Sequence, residues 1–110
     1  MKIIKEERQA SCIRFSVNEE GEELGHAWLY ILRNDLHEAP FGFIEDVFID
    51  EACRGKGYGT KLVEDMLAEA KRLHCYKAIL TSRYTKPRVH TLYERAGFKD
   101  WGKEFRLDLI

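Results

Sequence analysis

The segment Arg54-Gly55-Lys56-Gly57-Tyr58-Gly59 alternates glycine with larger residues and runs straight into a helix-forming stretch. A helix N-terminus exposes amide N–H groups with no internal partner and carries partial positive charge. Glycines let such a backbone wrap an anion without Cβ clashes, so a phosphate or pyrophosphate is the natural ligand. Arg54 and Lys56 add charge of the right sign. The spacing is not that of a P-loop, and Gly55, Gly57 and Gly59 do not fit a dinucleotide-binding turn. On its own the segment reads equally well as a flexible basic turn. Shortly before it stand two neighbouring carboxylates, Glu45 and Asp46, in the middle of the run Gly42 to Asp50, which is otherwise apolar up to Ile49. Adjacent strand residues face opposite sides, so the pattern predicts one carboxylate on each face. Such groups serve as proton acceptors or as structural hydrogen-bond acceptors.

The elements that must position these residues follow from periodicity. Residues 11–17 and 24–32 read as strands joined through the polar turn Asn18 to Glu22, giving a hairpin. Residues 33–40 read as a loop and 42–50 as a third strand. In residues 60–74, Leu62, Val63, Met66, Leu67, Ala70 and Leu73 form one helical face, with Lys61, Glu64, Asp65, Glu69, Lys71 and Arg72 opposite. Residues 76–81 are a short strand, and strand–helix–strand in this order predicts a parallel pair. Pro87 opens a second helix bearing Val89, Leu92, Tyr93 and Ala96, and Gly97 stops it. Residues 98–101 and the alternating Phe105, Leu107 and Leu109 predict two last strands. The order is β-β-β-α-β-α-β-β, an α+β (mixed α/β) class with helices on a central sheet.

Bulk properties narrow the function. The 110 residues suffice for one domain, 45% hydrophobic and 34% charged, with formal net charge −1. That charge supplies no field for nucleic acid or anionic membrane, which counts against nucleic-acid binding as the main function. No apolar run is long enough to span a bilayer, and the first residues do not read as a signal peptide. Cys12, Cys53 and Cys75 lack metal or CxxC spacing. They fit reduced thiols in the cytoplasm, at least two of them as small buried hydrophobes. His26, His37, His74 and His90 are dispersed, so no metal site is expected. Trp28 and Tyr30 read as packing residues, and the run Glu19, Glu20, Glu22, Glu23 as a solvated turn able to attract a cation.

Arg-x-x-Gly-x-Gly at 54–59, the acidic strand Ile44-Glu45-Asp46-Val47-Phe48-Ile49 before it, and Leu92-Tyr93-Glu94-Arg95-Ala96-Gly97-Phe98 after it together resemble the GNAT superfamily, the Gcn5-related N-acetyltransferases. The likeness runs from about residue 24 to the end and is strongest to members that acetylate small amines. It implies an acetyl-CoA-dependent N-acetyltransferase with no metal, acting by direct attack of a primary amine through a tetrahedral intermediate. By similarity, the backbone of Arg54, Gly55, Lys56, Gly57, Tyr58, Gly59 and Thr60 holds the coenzyme A pyrophosphate. Val47, Phe48 and Ile49 run beside the pantetheine arm, in a slot where the parallel strands splay. A backbone N–H near Phe48 meets the thioester carbonyl. Tyr93 is the implied acid for the departing thiolate, Glu45 the implied base, and Asp46 its reserve. Arg83, Lys86 and Arg88 form a basic cluster that reads as a solvated face or a contact for the coenzyme's 3′-phosphate.

Two departures from the family pattern matter. Lys86, followed by Pro87, stands where many members carry an asparagine, leaving Thr85 to cap the helix. Only about ten residues precede the first strand, which leaves no room for the two helices that wall the family's acceptor site. The acceptor, a small-molecule or protein amine, is then expected to meet an open site or one completed by a second subunit in a homodimer. A non-catalytic acyl-CoA-binding or regulatory module is the competing reading.

Overall fold

The computed structural model describes residues 1–110. Its elements are β1 (Ser11–Glu19), β2 (Glu22–Asn34), β3 (His37–Ile49), a single 3₁₀ turn (Glu51–Cys53), α1 (Tyr58–Arg72), β4 (Ala78–Leu80) and α2 (Pro87–Arg95). They form a four-stranded sheet in the order β1-β2-β3-β4. The first three strands are antiparallel, and β3 pairs with β4 in parallel through Gly42↔Ala78, Phe43↔Ile79 and Ile44↔Leu80. The mixed class and the parallel pair therefore match the sequence reading.

Period-2 alternation on the strands meets period-3.6 spacing on α1. Leu29, Ile44, Met66 and Val63 are the largest fully buried side chains, and Ala27, Leu62, Ala70 and Tyr93 complete the cluster. Each large apolar side chain buried there contributes about 1.5–3 kcal/mol. Phe15, Val17, Ile31, Val47 and Ile49 pack around it from the same face of the sheet. Trimming one methylene from the centre is felt directly: Ile44→Val should cost about 1 kcal/mol, read as a melting temperature lower by a few degrees. A change of more than about 3 kcal/mol would mean that Ile44 does more than fill space.

The structure corrects several boundaries. The expected loop at 33–40 shrinks to a two-residue turn, because β2 reaches Asn34 and β3 starts at His37. Leu36 N–H donates to Asn34 Oδ1 there, a local side-chain bond that closes the turn. α1 begins two residues early and ends at Arg72. The strands expected at 98–101 and 105–109 are absent; the chain beyond α2 carries no regular structure. Alternation specifies a face but supplies no hydrogen-bond partner, and no backbone hydrogen bond joins residues 99–110 to the sheet. None of the cysteines is fully buried, Cys12 being exposed and the other two half-buried, against the expected pair of buried ones. No helix is long and apolar enough to cross a membrane.

Candidate functional site

The parallel ladder between β3 and β4 ends at Ile44↔Leu80, while β3 continues for five more residues to Ile49. Beyond the ladder the two strands leave a cavity of about 420 Å³, within the range of small-ligand sites. Glu45, Asp46 and Val47 line one wall, and Thr81, Ser82, Arg83, Lys86, Val89 and Tyr93 the other, with Glu104 and Arg106 at its edge. Glu45, Asp46, Val47 and Tyr93 thus line one cavity. A second concavity of about the same volume, near Gln9, Ile31 and Leu73, has Arg33 as its one charged lining residue and offers no comparable chemistry.

A β-bulge shapes the wall. The β2–β3 register shifts between His26↔Phe48 and Trp28↔Glu45, and Asp46 adopts φ 53°. Left-handed backbone is uncommon outside glycine, although aspartate tolerates it better than most residues. Ile44 and Val47 both turn to the core, three residues apart instead of two. The residues between them share the outer face: Glu45 pairs across from Trp28, and Asp46 Oδ2 lies 2.9 Å from His26 Nε2. This corrects the expectation that the two carboxylates face opposite ways. It also replaces the backbone partner expected for Asp46 with a side chain, His26, whose ring lies tilted against Phe48 with centroids 5.5 Å apart. Glu45 is exposed and takes part in no hydrogen bond or ion pair within the chain. His26 was missed in the sequence because nothing in its spacing places it across from position 46.

The strand backbone settles which amides face the opening. Asp50 N–H donates to Leu24 O on β2, and the Phe48 carbonyl oxygen points toward Gly25 on the same side. N–H groups of alternate residues share a side, so Phe48 is committed to β2. Val47 and Ile49 turn their N–H groups toward the side that β4 has vacated. The amide expected near Phe48 is therefore that of a flanking residue.

At the end of β3 the chain passes through the 3₁₀ turn into the glycine loop. Gly55 has φ 80° and Gly57 φ 86°, with open space where a Cβ would be. Gly57 is the N-cap of α1 and offers no side-chain cap. No N–H group of residues 55–60 donates to a backbone acceptor, so a row of amides faces outward at the positive end of a fifteen-residue helix. Gly59 instead allows close approach: a Cβ there would sit a tight 3.3 Å from Leu92 Cδ1 of α2. Arg54 Nε donates to Ile49 O at 3.0 Å, and Tyr58 Oη donates to Glu19 Oε2 at 2.9 Å. The loop is tied to the strand end and to the β1–β2 turn, and the Glu19 bond raises the Tyr58 phenol above its ordinary pKa. Glu23 in turn is held by Arg14 at 2.6 Å, so two members of the acidic run have partners within the chain. Those open positions with bare amides fit a diphosphate. In Gly57→Ala, left-handed backbone on a residue with a Cβ costs about 1–2 kcal/mol. If the free loop relaxes, that energy is withdrawn from binding, and the dissociation constant for coenzyme A should rise about tenfold by calorimetry. Unchanged affinity would contradict the amide cradle.

Tyr93 sits on α2, opened by Pro87 at N1 and closed by Gly97 at φ 105°. Lys86 is the N-cap without a side-chain bond, so Thr85 does not cap as expected. The Tyr93 ring packs edge-on to Phe98 at 6.0 Å, and its hydroxyl has no protein partner among the hydrogen bonds. Burial pushes its phenol above the ordinary value. Arg83 and Lys86 reach the cavity, whereas Arg88 does not line it. No group of three or more His, Cys, Asp or Glu side chains is arranged to hold a metal ion.

A model of the acetyltransferase (GNAT) family matches residues 2–98, nearly the whole chain. The chain belongs to the acetyltransferase (GNAT) family. It is similar to a glucosamine 6-phosphate N-acetyltransferase of Trypanosoma brucei brucei, 38% identical over 68 residues, covering 62% of this chain and 44% of that protein. A probable glucosamine 6-phosphate N-acetyltransferase 2 of rice is 35% identical over 66 residues, covering 60% of this chain and 38% of its own length. The matched stretch thus spans less than half of these curated relatives. Among solved structures, glucosamine-6-phosphate N-acetyltransferase from Arabidopsis thaliana superimposes with TM-score 0.83 at 26% identity, over 90% of this chain and 67% of that one. A Trypanosoma brucei acetyltransferase gives TM-score 0.77 at 32% identity, over 89% and 69%.

Proposed function

We infer that this GNAT chain transfers an acetyl group from acetyl-CoA to a primary amine. The observation that carries the reading is the opening between β3 and β4, with Glu45, Asp46 and Val47 on one wall and Tyr93 on the other, next to the free amides of residues 55–60. The amides of the glycine loop hold the pyrophosphate of the cosubstrate. The N–H groups of Val47 and Ile49 offer hydrogen bonds to its pantetheine arm, which lies along β3 as an added strand, and one of them meets the thioester oxygen as negative charge develops.

An alkyl ammonium with pKa near about 10 must lose a proton before it can attack. Glu45, exposed and unpaired at the wall, accepts that proton directly or through water. The amine nitrogen then attacks the carbonyl carbon, the carbon–sulfur bond breaks, and the thiolate takes the Tyr93 phenolic proton. The nitrogen sheds its second proton to water as the neutral amide forms, an amide and a free thiol leave, Glu45 returns its proton to solvent, and Tyr93 regains its own from solvent. Burial keeps that phenol protonated at neutral pH, as an acid requires. Asp46, engaged by His26, serves as a positioning residue for the bulge.

The first acceptor to test is a phosphorylated amino sugar. The relatives' names support it, and so do the cations Arg83, Lys86 and Arg106 around the cavity, which suit an anionic group. A larger amine, including one on a protein, is the alternative acceptor class. A thiol-release assay with acetyl-CoA against glucosamine 6-phosphate, a polyamine and a lysine peptide tests the reading. Release that depends on one amine class supports it. Acetyl-CoA binding without release for any of them assigns the chain to cofactor binding alone.

A further inference from the structure

The Arg54 N–H donates to Glu51 O, and the Lys61 N–H donates to Gly57 O as α1 begins; between them the glycine loop donates no backbone hydrogen bond. Its two left-handed residues, Gly55 and Gly57, have open space where a Cβ would be. Neither packing nor the main chain therefore fixes their conformation, and glycine backbone is the costliest to order. Two side chains bracket the pair instead. Arg54 Nε reaches back to Ile49 O on one side, and Tyr58 Oη donates to Glu19 Oε2 at 2.9 Å on the other. The first tie is local, joining residues 5 apart, whereas the second joins residues 39 apart. That second tie ends on a firm anchor. Glu19 closes β1 and pairs with Glu22, and between them stand Glu20 at φ 52° and Gly21 at φ 81°. Two left-handed residues in a two-residue turn match the twist of a hairpin.

We propose that Glu19 is a positioning residue for the cosubstrate: through Tyr58 it holds the glycine loop in its diphosphate-binding form before coenzyme A arrives. The inference rests on the acetyl-CoA reading of that loop. The Tyr58 side chain is an intermediary, because its one hydroxyl proton is given to Glu19. A carboxylate is an odd neighbour for an anion site, since like charge opposes the diphosphate. The bond it accepts accounts for its presence, being charge-assisted and stronger than a neutral one. That bond raises the phenol's pKa, so Tyr58 stays a donor throughout the neutral range. Loop ordering completed in the free protein no longer subtracts from binding.

Two readouts on the full chain test this. Trypsin cleavage after Arg54 and Lys56, both exposed, reports how often the loop opens with no cofactor present. Glu19→Ala and Tyr58→Phe should each speed that cleavage about fivefold, the scale of one surface hydrogen bond. The double variant should be no faster than either, since the same bond is lost in all three. By calorimetry with coenzyme A, Tyr58→Phe should raise the dissociation constant about fivefold, and it does so with the Glu19 charge still in place. Glu19→Gln and Glu19→Ala carry equal charge, so tighter binding by the glutamine variant isolates its acceptor oxygen. Unchanged cleavage in both single variants overturns the proposal, as does full additivity in the double. Faster cleavage with unchanged affinity, in a chain that binds coenzyme A, overturns the positioning role alone. Faster cleavage in a chain that binds no coenzyme A overturns that role together with the acetyl-CoA reading.

Discussion

Replacing Tyr93 by phenylalanine should lower kcat about 100-fold or more, the range lost when a positioned general acid is removed, with little change in KM. The substitution is unusually clean. The ring sits in the core cluster and packs on Phe98, while the hydroxyl has no protein partner, so removing it should leave the melting temperature nearly unchanged. Burial raises the phenol's pKa, so its proton is retained throughout the neutral range. The folded form then holds that proton to higher pH than the unfolded chain does. The associated stability is complete below about pH 10 and is lost as pH rises through the raised value. Wild-type kcat should accordingly show no descending limb from this group below about pH 10. A Tyr93→Phe enzyme at full rate would reduce Tyr93 to a packing residue.

Glu45→Gln should cost about 100-fold in kcat at neutral pH, again the scale of a lost proton acceptor. The loss should shrink as pH approaches the acceptor ammonium's own pKa, where much of the amine is already free. That pH dependence separates two roles. A carboxylate that only attracts the ammonium raises KM when neutralised and leaves kcat alone, whereas a base lowers kcat and is partly rescued by alkali. Because Glu45 is exposed and makes no ion pair within the chain, the fold should not respond. By contrast, His26→Ala acts through Asp46 and should disturb the bulge, with a weaker effect on rate that alkali does not rescue.

Much of this site is legible in the residues. The glycine loop announces itself because positive φ and bare amides require glycine at 55 and 57. Pro87 and Gly97 bracket α2, and the spacing of Leu62, Val63, Met66 and Ala70 fixes the buried face of α1. The bulge at Asp46 was not legible. No glycine marks it, and strict alternation argues for opposite faces. Its trace in the sequence is a break in period, with Ile44 and Val47 both apolar and three apart. The free amides flanking Phe48 follow from the same bulge and could not be assigned without it. The last two strands were over-read for a related reason. Phe105, Leu107 and Leu109 do alternate, but alternation cannot say whether the strand's partner lies in the same chain.

Everything above depends on the opening beside residues 45–49 accepting the arm of acetyl-CoA while the loop at 55–60 holds its pyrophosphate. Equilibrium dialysis of the full chain with labelled acetyl-CoA measures this most directly. The predicted result is saturable binding of one molecule per chain, displaced by coenzyme A and weakened in Gly57→Ala. Retention no greater than that of a control protein, or binding indifferent to the Gly57 substitution and to competing coenzyme A, would contradict it.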